Sequence, residues 1–181
     1  MSDPVVAPTL IRGAAVVLPD GIRRCELGMR SGIIEYIGDA PGAYDTTIDA
    51  AGCTVIPGMI DMHTHGAVRA DVNTADAHGF QTLSAFYASE GVTGFFPTLV
   101  CDAEPKLLAA IGRIKQARDT VRCAKILGCH LEGPFLAPDF RGSMPRKFLA
   151  PGDAAMVARF LTAAEGMTLR MTVSPEADGV E

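Results

Sequence analysis

The chain has 181 residues, 48% of them hydrophobic, and a net charge of −5 at pH 7. This composition is typical of a globular protein and excludes an intrinsically disordered one. The sequence has no basic run and no apolar stretch near the roughly 20 residues that span a bilayer, so we expect neither nucleic acid nor a membrane as a partner. Residues 1–8 lack the basic and apolar segments of a secretion signal.

The cysteines number five, which is odd, and no pair has C-x-x-C spacing. This pattern argues against a disulfide framework and against a structural zinc knuckle. We therefore expect reduced thiols and a cytoplasmic protein.

The first fifty or so residues have the pattern of short β-strands. β-prone runs occupy residues 10–17, 22–29, 33–37 and 46–49, and turn signals separate them at 19–21 and 30–32. We predict a small β-sandwich-like domain over residues 1–53.

From residue 54 onward, apolar strands alternate with amphipathic helices. Strands are predicted at 54–62, 94–99, 124–131 and 169–173, and apolar helical faces at 80–87, 107–114 and 154–164. This alternation predicts an α/β fold with a parallel sheet. Four strands and three helices fit the first half of a (β/α)₈ TIM-type barrel over residues 54–181, and a small open sheet is the alternative. A complete barrel takes about 250 residues, so we expect no closed barrel within this chain.

The first candidate site follows the predicted strand at 54–62, where His63 and His65 lie two residues apart. On a strand, side chains two apart point to the same face, so both imidazoles project together. Such a pair can chelate a transition metal, but it also occurs as two surface histidines. By strict alternation Asp61 shares their face, which suggests a role in orienting the ligating imidazoles.

The second candidate site is Glu132, at the end of the predicted strand 124–131 and directly before Gly133 and Pro134. A carboxylate there complements imidazole nitrogens as an oxygen ligand, although an ordinary solvated glutamate is the alternative. His130 shares its face. Because the carboxyl ends of parallel strands meet at one edge, the two sites together predict a metal centre. A cation held there would make water acidic enough to attack a carbonyl, with a pKa near 7.

Four motifs carry a resemblance to a known family. Residues 57–66 resemble the signature of the amidohydrolase superfamily. Residues 130–135, 91–99 and 172–176 resemble the N-acetylglucosamine-6-phosphate deacetylase family more specifically. The resemblance runs to the end of the chain and covers about the first half of a usual member.

The resemblance implies hydrolysis of an acetamide, releasing acetate and an amine, with N-acetylglucosamine-6-phosphate as the substrate. It implies Glu132 as the key metal ligand and His63 and His65 as ligands of a second metal position, with one or two divalent ions. We expect zinc, with iron or another transition metal as the alternative. We also expect a homo-oligomer.

The resemblance places two further histidines and the aspartate that acts as general acid and base on later strands. These lie beyond Glu181, so we expect this chain to be inactive alone.

The loop after Glu132 departs from the family pattern. Members have a histidine that helps to hold the sugar phosphate where this chain has Met144, which cannot donate a charged hydrogen bond. We expect substrate contacts from Arg141, Ser143 and Met144, with Arg141 or Arg146 compensating because guanidinium binds phosphate well. Solvated loop arginines are the alternative. The remaining hypotheses are an amidohydrolase acting on another N-acyl or cyclic amide, and a non-catalytic half-barrel that assembles with a partner.

Overall fold

The computed structural model of the chain describes residues 7–39 and 41–181. Its contacts divide the chain into two units, residues 1–57 and 58–181. The prediction that residues 1–8 hold no secretion signal concerns a segment that lies mostly outside the described residues. Within the described part of the chain, no helix has the length and hydropathy to cross a membrane.

The described residues of the first unit form seven short strands in two sheets. The strands are β1 (Thr9–Arg12), β2 (Ala15–Leu18), β3 (Gly21–Arg24), β4 (Glu26–Arg30), β5 (Ile33–Gly38), β6 (Thr46–Asp49) and β7 (Thr54–Val55). One sheet has the order β5-β4-β1-β6 and the other the order β3-β2-β7. Each sheet is mixed, because β6 and β7 pair in parallel and the other strands pair antiparallel.

The β-prone runs at 10–17 and 22–29 are each divided into two strands that belong to different sheets. Gly13 adopts a positive φ of 77° between β1 and β2, so the chain turns from one sheet into the other. Cys25 lies between β3 and β4, which also belong to different sheets. Val16 of one sheet and Leu27 of the other belong to a single buried cluster with Ala14.

The second unit contains the remaining strands and the three α-helices. These elements are β8 (Met59–Thr64), β9 (Gly66–Ala67), β10 (Ala70–Asp71), α1 (Ala77–Ser89), β11 (Val92–Val100), α2 (Glu104–Arg118), β12 (Lys125–Ile126), β13 (Gly128–Glu132), α3 (Ala154–Ala163) and β14 (Thr168–Thr172). A short 3₁₀ turn covers Arg146–Phe148. Strands β9 and β10 form a small antiparallel pair.

The main sheet of this unit is parallel, with β11 pairing β8 on one side and β12 and β13 on the other. Strand β14 pairs β13. The main strands therefore follow one another in chain order, and α1, α2 and α3 connect them, which confirms the predicted α/β alternation. The helices pack on one face of the sheet, where the largest fully buried side chains include Phe80, Phe95 and Phe160.

Pro97 lies inside β11, and both neighbouring ladders change register beside it. On one side, the pairs Phe95–Asp61 and Pro97–Thr64 leave one extra residue in β8, which is a β-bulge. On the other side, the break at Leu127 divides β12 from β13. Because proline has no N–H group, a regular ladder cannot continue through it.

Candidate metal centre

The two predicted imidazoles lie at the carboxyl end of β8. His63 is the penultimate residue of the strand and His65 directly follows its end, with ring centroids 5.0 Å apart. Thr64 between them points the other way and is buried, and its hydroxyl contacts the hydroxyl of Tyr87 in α1. The segment is thus anchored from behind by α1, and both histidines remain partly open to solvent.

Glu132 ends β13 and brings its carboxylate to the same place. Its Oε2 lies 3.2 Å from Nε2 of His63 and 3.0 Å from Nε2 of His65. The two Nε2 atoms are 3.2 Å apart. Three potential ligand atoms thus converge, as the sequence predicts, and together they could hold a metal ion.

The orientation of His65 supports this fit. Its Nδ1 lies 3.1 Å from the main-chain carbonyl oxygen of Thr98, which can only accept, so Nδ1 carries the proton. In the neutral ring, Nε2 then presents its lone pair to the carboxylate of Glu132. Two acceptor atoms 3.0 Å apart repel one another unless a cation or a proton lies between them. A histidine whose Nδ1–H donates to a carbonyl group is the usual form of a metal ligand.

The main chain around Glu132 is held by two hydrogen bonds. The thiol of Cys101 donates to the carbonyl oxygen of Glu132, and the N–H of Gly133 donates to the carbonyl oxygen of Thr172. Burial raises the pKa of Cys101 to about 11, which keeps the thiol protonated as a donor. Gly133 has a φ of 88°, and a Cβ atom there would lie 2.5 Å from the Cys101 sulfur. A glycine is therefore required after Glu132.

His130 lies one layer below the converging atoms and is buried. Its Nδ1 is 3.1 Å from the Thr98 hydroxyl, its Nε2 is 2.8 Å from the Thr172 hydroxyl, and its ring centroid is 4.8 Å from that of His63. Burial, followed by the charges of His63 and Arg170, lowers the pKa of His130 to about 4. His130 is therefore neutral at pH 7 and supports the site from below.

Strict alternation predicts that Asp61 shares the face of the imidazoles, but in the structure it does not. The bulge in β8 changes its phase, and its carboxylate accepts a hydrogen bond from the main-chain N–H of His63 at 3.0 Å. In the part of the chain that the structure describes, no hydrogen bond joins Asp61 to an imidazole ring. Asp61 therefore acts on His63 through the main chain.

The predicted substrate residues lie in the loop after β13. The guanidinium of Arg141 donates to the carbonyl oxygens of Gly142 and Met144, at 3.2 and 2.6 Å. Met144 is buried against Cys101 and Leu136, and Ser143 is exposed. Their assignment to a substrate stays a prediction.

Two residues near the site carried no functional interpretation in the sequence. Thr98 of β11 contacts both histidine-bearing strands, but threonine is common in strands for its shape alone, which hides such a role. Arg170 of β14 donates to the carbonyl oxygen of Met62, within the bulged segment of β8, at 2.9 Å. The sequence did offer a signal for Arg170, because it is a lone arginine between Leu169 and Met171 in an apolar strand.

Comparison with known proteins adds to this geometry. No family model matches the chain. The chain is 29% identical over 177 residues to the N-acetylglucosamine-6-phosphate deacetylase of Bacillus subtilis (strain 168), covering 93% of this chain and 45% of that protein. A solved N-acetyl-D-glucosamine-6-phosphate deacetylase from Mycobacterium smegmatis, in complex with N-acetyl-D-glucosamine-6-phosphate, superposes with a TM-score of 0.84. It is 27% identical, and the match covers 96% of this chain and 45% of that one.

The resemblance to the N-acetylglucosamine-6-phosphate deacetylase family is confirmed. The chain spans slightly less than half the length of these deacetylases. A D-hydantoinase from Ralstonia pickettii is more identical, at 43%, but only over 84 residues and 46% of this chain. The deacetylases are thus matched over nearly the whole chain and the hydantoinase over less than half of it.

Proposed function

We propose that the whole protein carrying these residues is a metal-dependent amidohydrolase. In this proposal it deacetylates N-acetylglucosamine-6-phosphate to glucosamine-6-phosphate and acetate. The convergence of His63, His65 and Glu132 at the carboxyl ends of parallel strands is the observation that supports it most strongly. The match to deacetylases along nearly the whole chain supports the choice of reaction.

His63, His65 and Glu132 would hold a divalent cation, which we propose to be zinc. Two neutral imidazoles and one carboxylate neutralise only half of its charge. When bound, such a cation acts as a Lewis acid and polarises the carbonyl group of an amide. The three converging atoms support one ion at this position, and the proposal extends to a second ion if further ligands approach Glu132.

We propose that the second unit forms the first half of a (β/α)₈ barrel and that the first unit belongs to a small β-sandwich-like domain. The predicted division into residues 1–53 and 54–181 lies four residues earlier than the division after residue 57 that the contacts give, because β7 pairs with β2 of the first unit. The parallel order of the main sheet supports the half-barrel. Strands β8 and β14 lie at its two edges, and Ile60 and Met62 of β8 expose more than half of their surface. Exposed apolar side chains on an edge strand favour pairing with further strands or with another copy of the chain. We therefore propose that the protein forms a homo-oligomer.

The substrate proposal is supported by the ligand of the Mycobacterium smegmatis relative, which is N-acetyl-D-glucosamine-6-phosphate. In this chain Arg141, Ser143 and Met144 would lie along the substrate, with Arg141 nearest the phosphate. A cytoplasmic location is supported by the cysteines, which are all free in the structure.

The test measures acetate release from N-acetylglucosamine-6-phosphate by the whole protein, with zinc present. Glu132→Gln and His63→Ala should each reduce kcat/KM by at least about 100-fold, since each removes a ligand. The exposed His78 and Glu90 offer the matched controls His78→Ala and Glu90→Gln, which should retain activity. Activity that persists in Glu132→Gln would contradict the proposal.

The hydantoinase match makes hydrolysis of a hydantoin the second candidate, and the same assay decides between the two. Turnover of the hydantoin without turnover of the acetylated sugar phosphate would favour that candidate. A discrete dimer without either activity would favour the non-catalytic assembly protein.

A further inference from the structure

Thr98 connects both histidine-bearing strands to β11. Thr98 is fully buried. Its carbonyl oxygen accepts the hydrogen bond from Nδ1 of His65, and its Oγ1 accepts one from the main-chain N–H of Thr64 at 3.0 Å. The same hydroxyl lies 3.1 Å from Nδ1 of His130 and 3.2 Å from the carbonyl oxygen of Phe96, which gives its own proton an acceptor.

The bond from Thr64 to the Thr98 hydroxyl occupies the place of a ladder bond. The bulge in β8 lies opposite Pro97, where the backbone pairing between β8 and β11 loses its regular register. A main-chain N–H buried there needs an acceptor, because an unpaired one is unfavourable. The Thr98 side chain supplies that acceptor one residue after the proline.

We propose that Thr98 is a positioning residue that holds the His63–His65 segment with both Nε2 atoms facing Glu132. The proposal rests on the proposed metal site. Thr64 is the residue between the two imidazoles, so anchoring its N–H fixes the main chain from which both rings project. The Thr98 carbonyl fixes the second ring directly through Nδ1.

Two substitutions separate the hydroxyl from the shape of the side chain. Thr98→Val keeps the branched shape and removes the hydroxyl, whereas Thr98→Ser keeps the hydroxyl. Thr93→Val is the matched control, since Thr93 also lies in β11 and its hydroxyl donates to β8, at the Met59 carbonyl oxygen, away from the site.

The first measurement is amide hydrogen exchange at Thr64 in the metal-free chain. Thr98→Val should speed this exchange by at least about tenfold, and Thr98→Ser and Thr93→Val should leave it within about threefold of the unsubstituted chain. Equal protection of Thr64 in Thr98→Val and the unsubstituted chain would overturn the proposal. Should Thr98→Val fail to fold, a Thr98→Ser chain that loses Thr64 protection would also overturn it.

The second measurement is the affinity for Co²⁺, followed by its visible absorption. Loss of a residue that orients a ligand typically weakens metal binding by about 10- to 100-fold, and we expect this for Thr98→Val, with recovery in Thr98→Ser. An unchanged affinity in Thr98→Val would overturn the proposal. Failure of the unsubstituted chain to bind Co²⁺ would instead contradict the metal site, and the exchange at Thr64 would still decide the role of Thr98.

Discussion

Nδ1 of His65 donates a hydrogen bond to the main-chain carbonyl oxygen of Thr98 over 3.1 Å. This bond turns Nε2 of His65 toward Glu132 and selects the tautomer in which Nε2 carries a lone pair. The ring is thus oriented by the backbone of the neighbouring strand and not by a side-chain carboxylate.

The tautomer of His65 is directly measurable. In the ¹⁵N spectrum of histidine-labelled, metal-free chain at pH 8, we expect His65 to carry its proton on Nδ1. The exposed His78 serves as an internal reference, because its ring is solvated and should show mainly the Nε2–H form common in water. A His65 signal like that of His78 would show that the bond to Thr98 does not form.

Acid should destabilise the fold partly through His130. Its pKa is about 4 in the folded chain, below the ordinary value near 6.5, so the unfolded state binds the proton more tightly. The stability it contributes is complete above pH 6.5 and is lost as the pH falls toward 4. The loss amounts to up to about 3 kcal/mol of unfolding free energy.

Urea unfolding between pH 4 and 8, with a chelator present, measures this effect. His130→Asn should be less stable at pH 7, because the hydroxyl groups of Thr98 and Thr172 that contact the imidazole must rearrange. Its unfolding free energy should, however, depend less on pH than that of the unsubstituted chain. His78→Asn should keep the full dependence. An identical slope in His130→Asn and the unsubstituted chain would show that His130 is not the titrating group.

The cysteines should divide by their reactivity toward a thiol reagent. Cys53 and Cys123 are exposed, whereas Cys101 and Cys129 are buried, and burial raises the pKa of Cys129 to about 12. Because the thiolate is the reactive form, the two buried thiols should react only as the chain unfolds. Mass spectrometry of partly labelled protein gives the order, and early labelling of Cys129 would contradict the burial of β13.

The sequence was sufficient to locate β11, β14, the three helices and the three converging side chains. The predicted strand at 54–62 is divided, because residues 54–55 form β7 of the first unit and β8 covers Met59–Thr64, and the predicted strand at 124–131 is divided at Leu127. Strands β11 and β13 and all three helices contribute apolar side chains to the buried core, so periodicity marks them, whereas the apolar Ile60 and Met62 of β8 stay exposed. His63 and Glu132 could be related because parallel strands end at one edge, which is a property of the fold class and needs no tertiary detail.

Other features depend on contacts that periodicity cannot show. Gly13 divides one β-prone run between two sheets, although the residues on both sides of it form strands. Asp61 leaves its expected face because Pro97, far along the chain, interrupts the ladder beside it. The role of Thr98 depends on the same irregularity. The burial of Met144 in its loop likewise reflects packing against Cys101.

We propose above that His63, His65 and Glu132 hold one metal ion. Anomalous diffraction from crystals grown with zinc tests it most directly. We expect a single strong peak about 2.0–2.2 Å from both Nε2 atoms and from the Glu132 carboxylate. This peak should disappear in Glu132→Gln and persist in His78→Ala. A peak elsewhere, or none in protein that retains the three side chains in place, would contradict it.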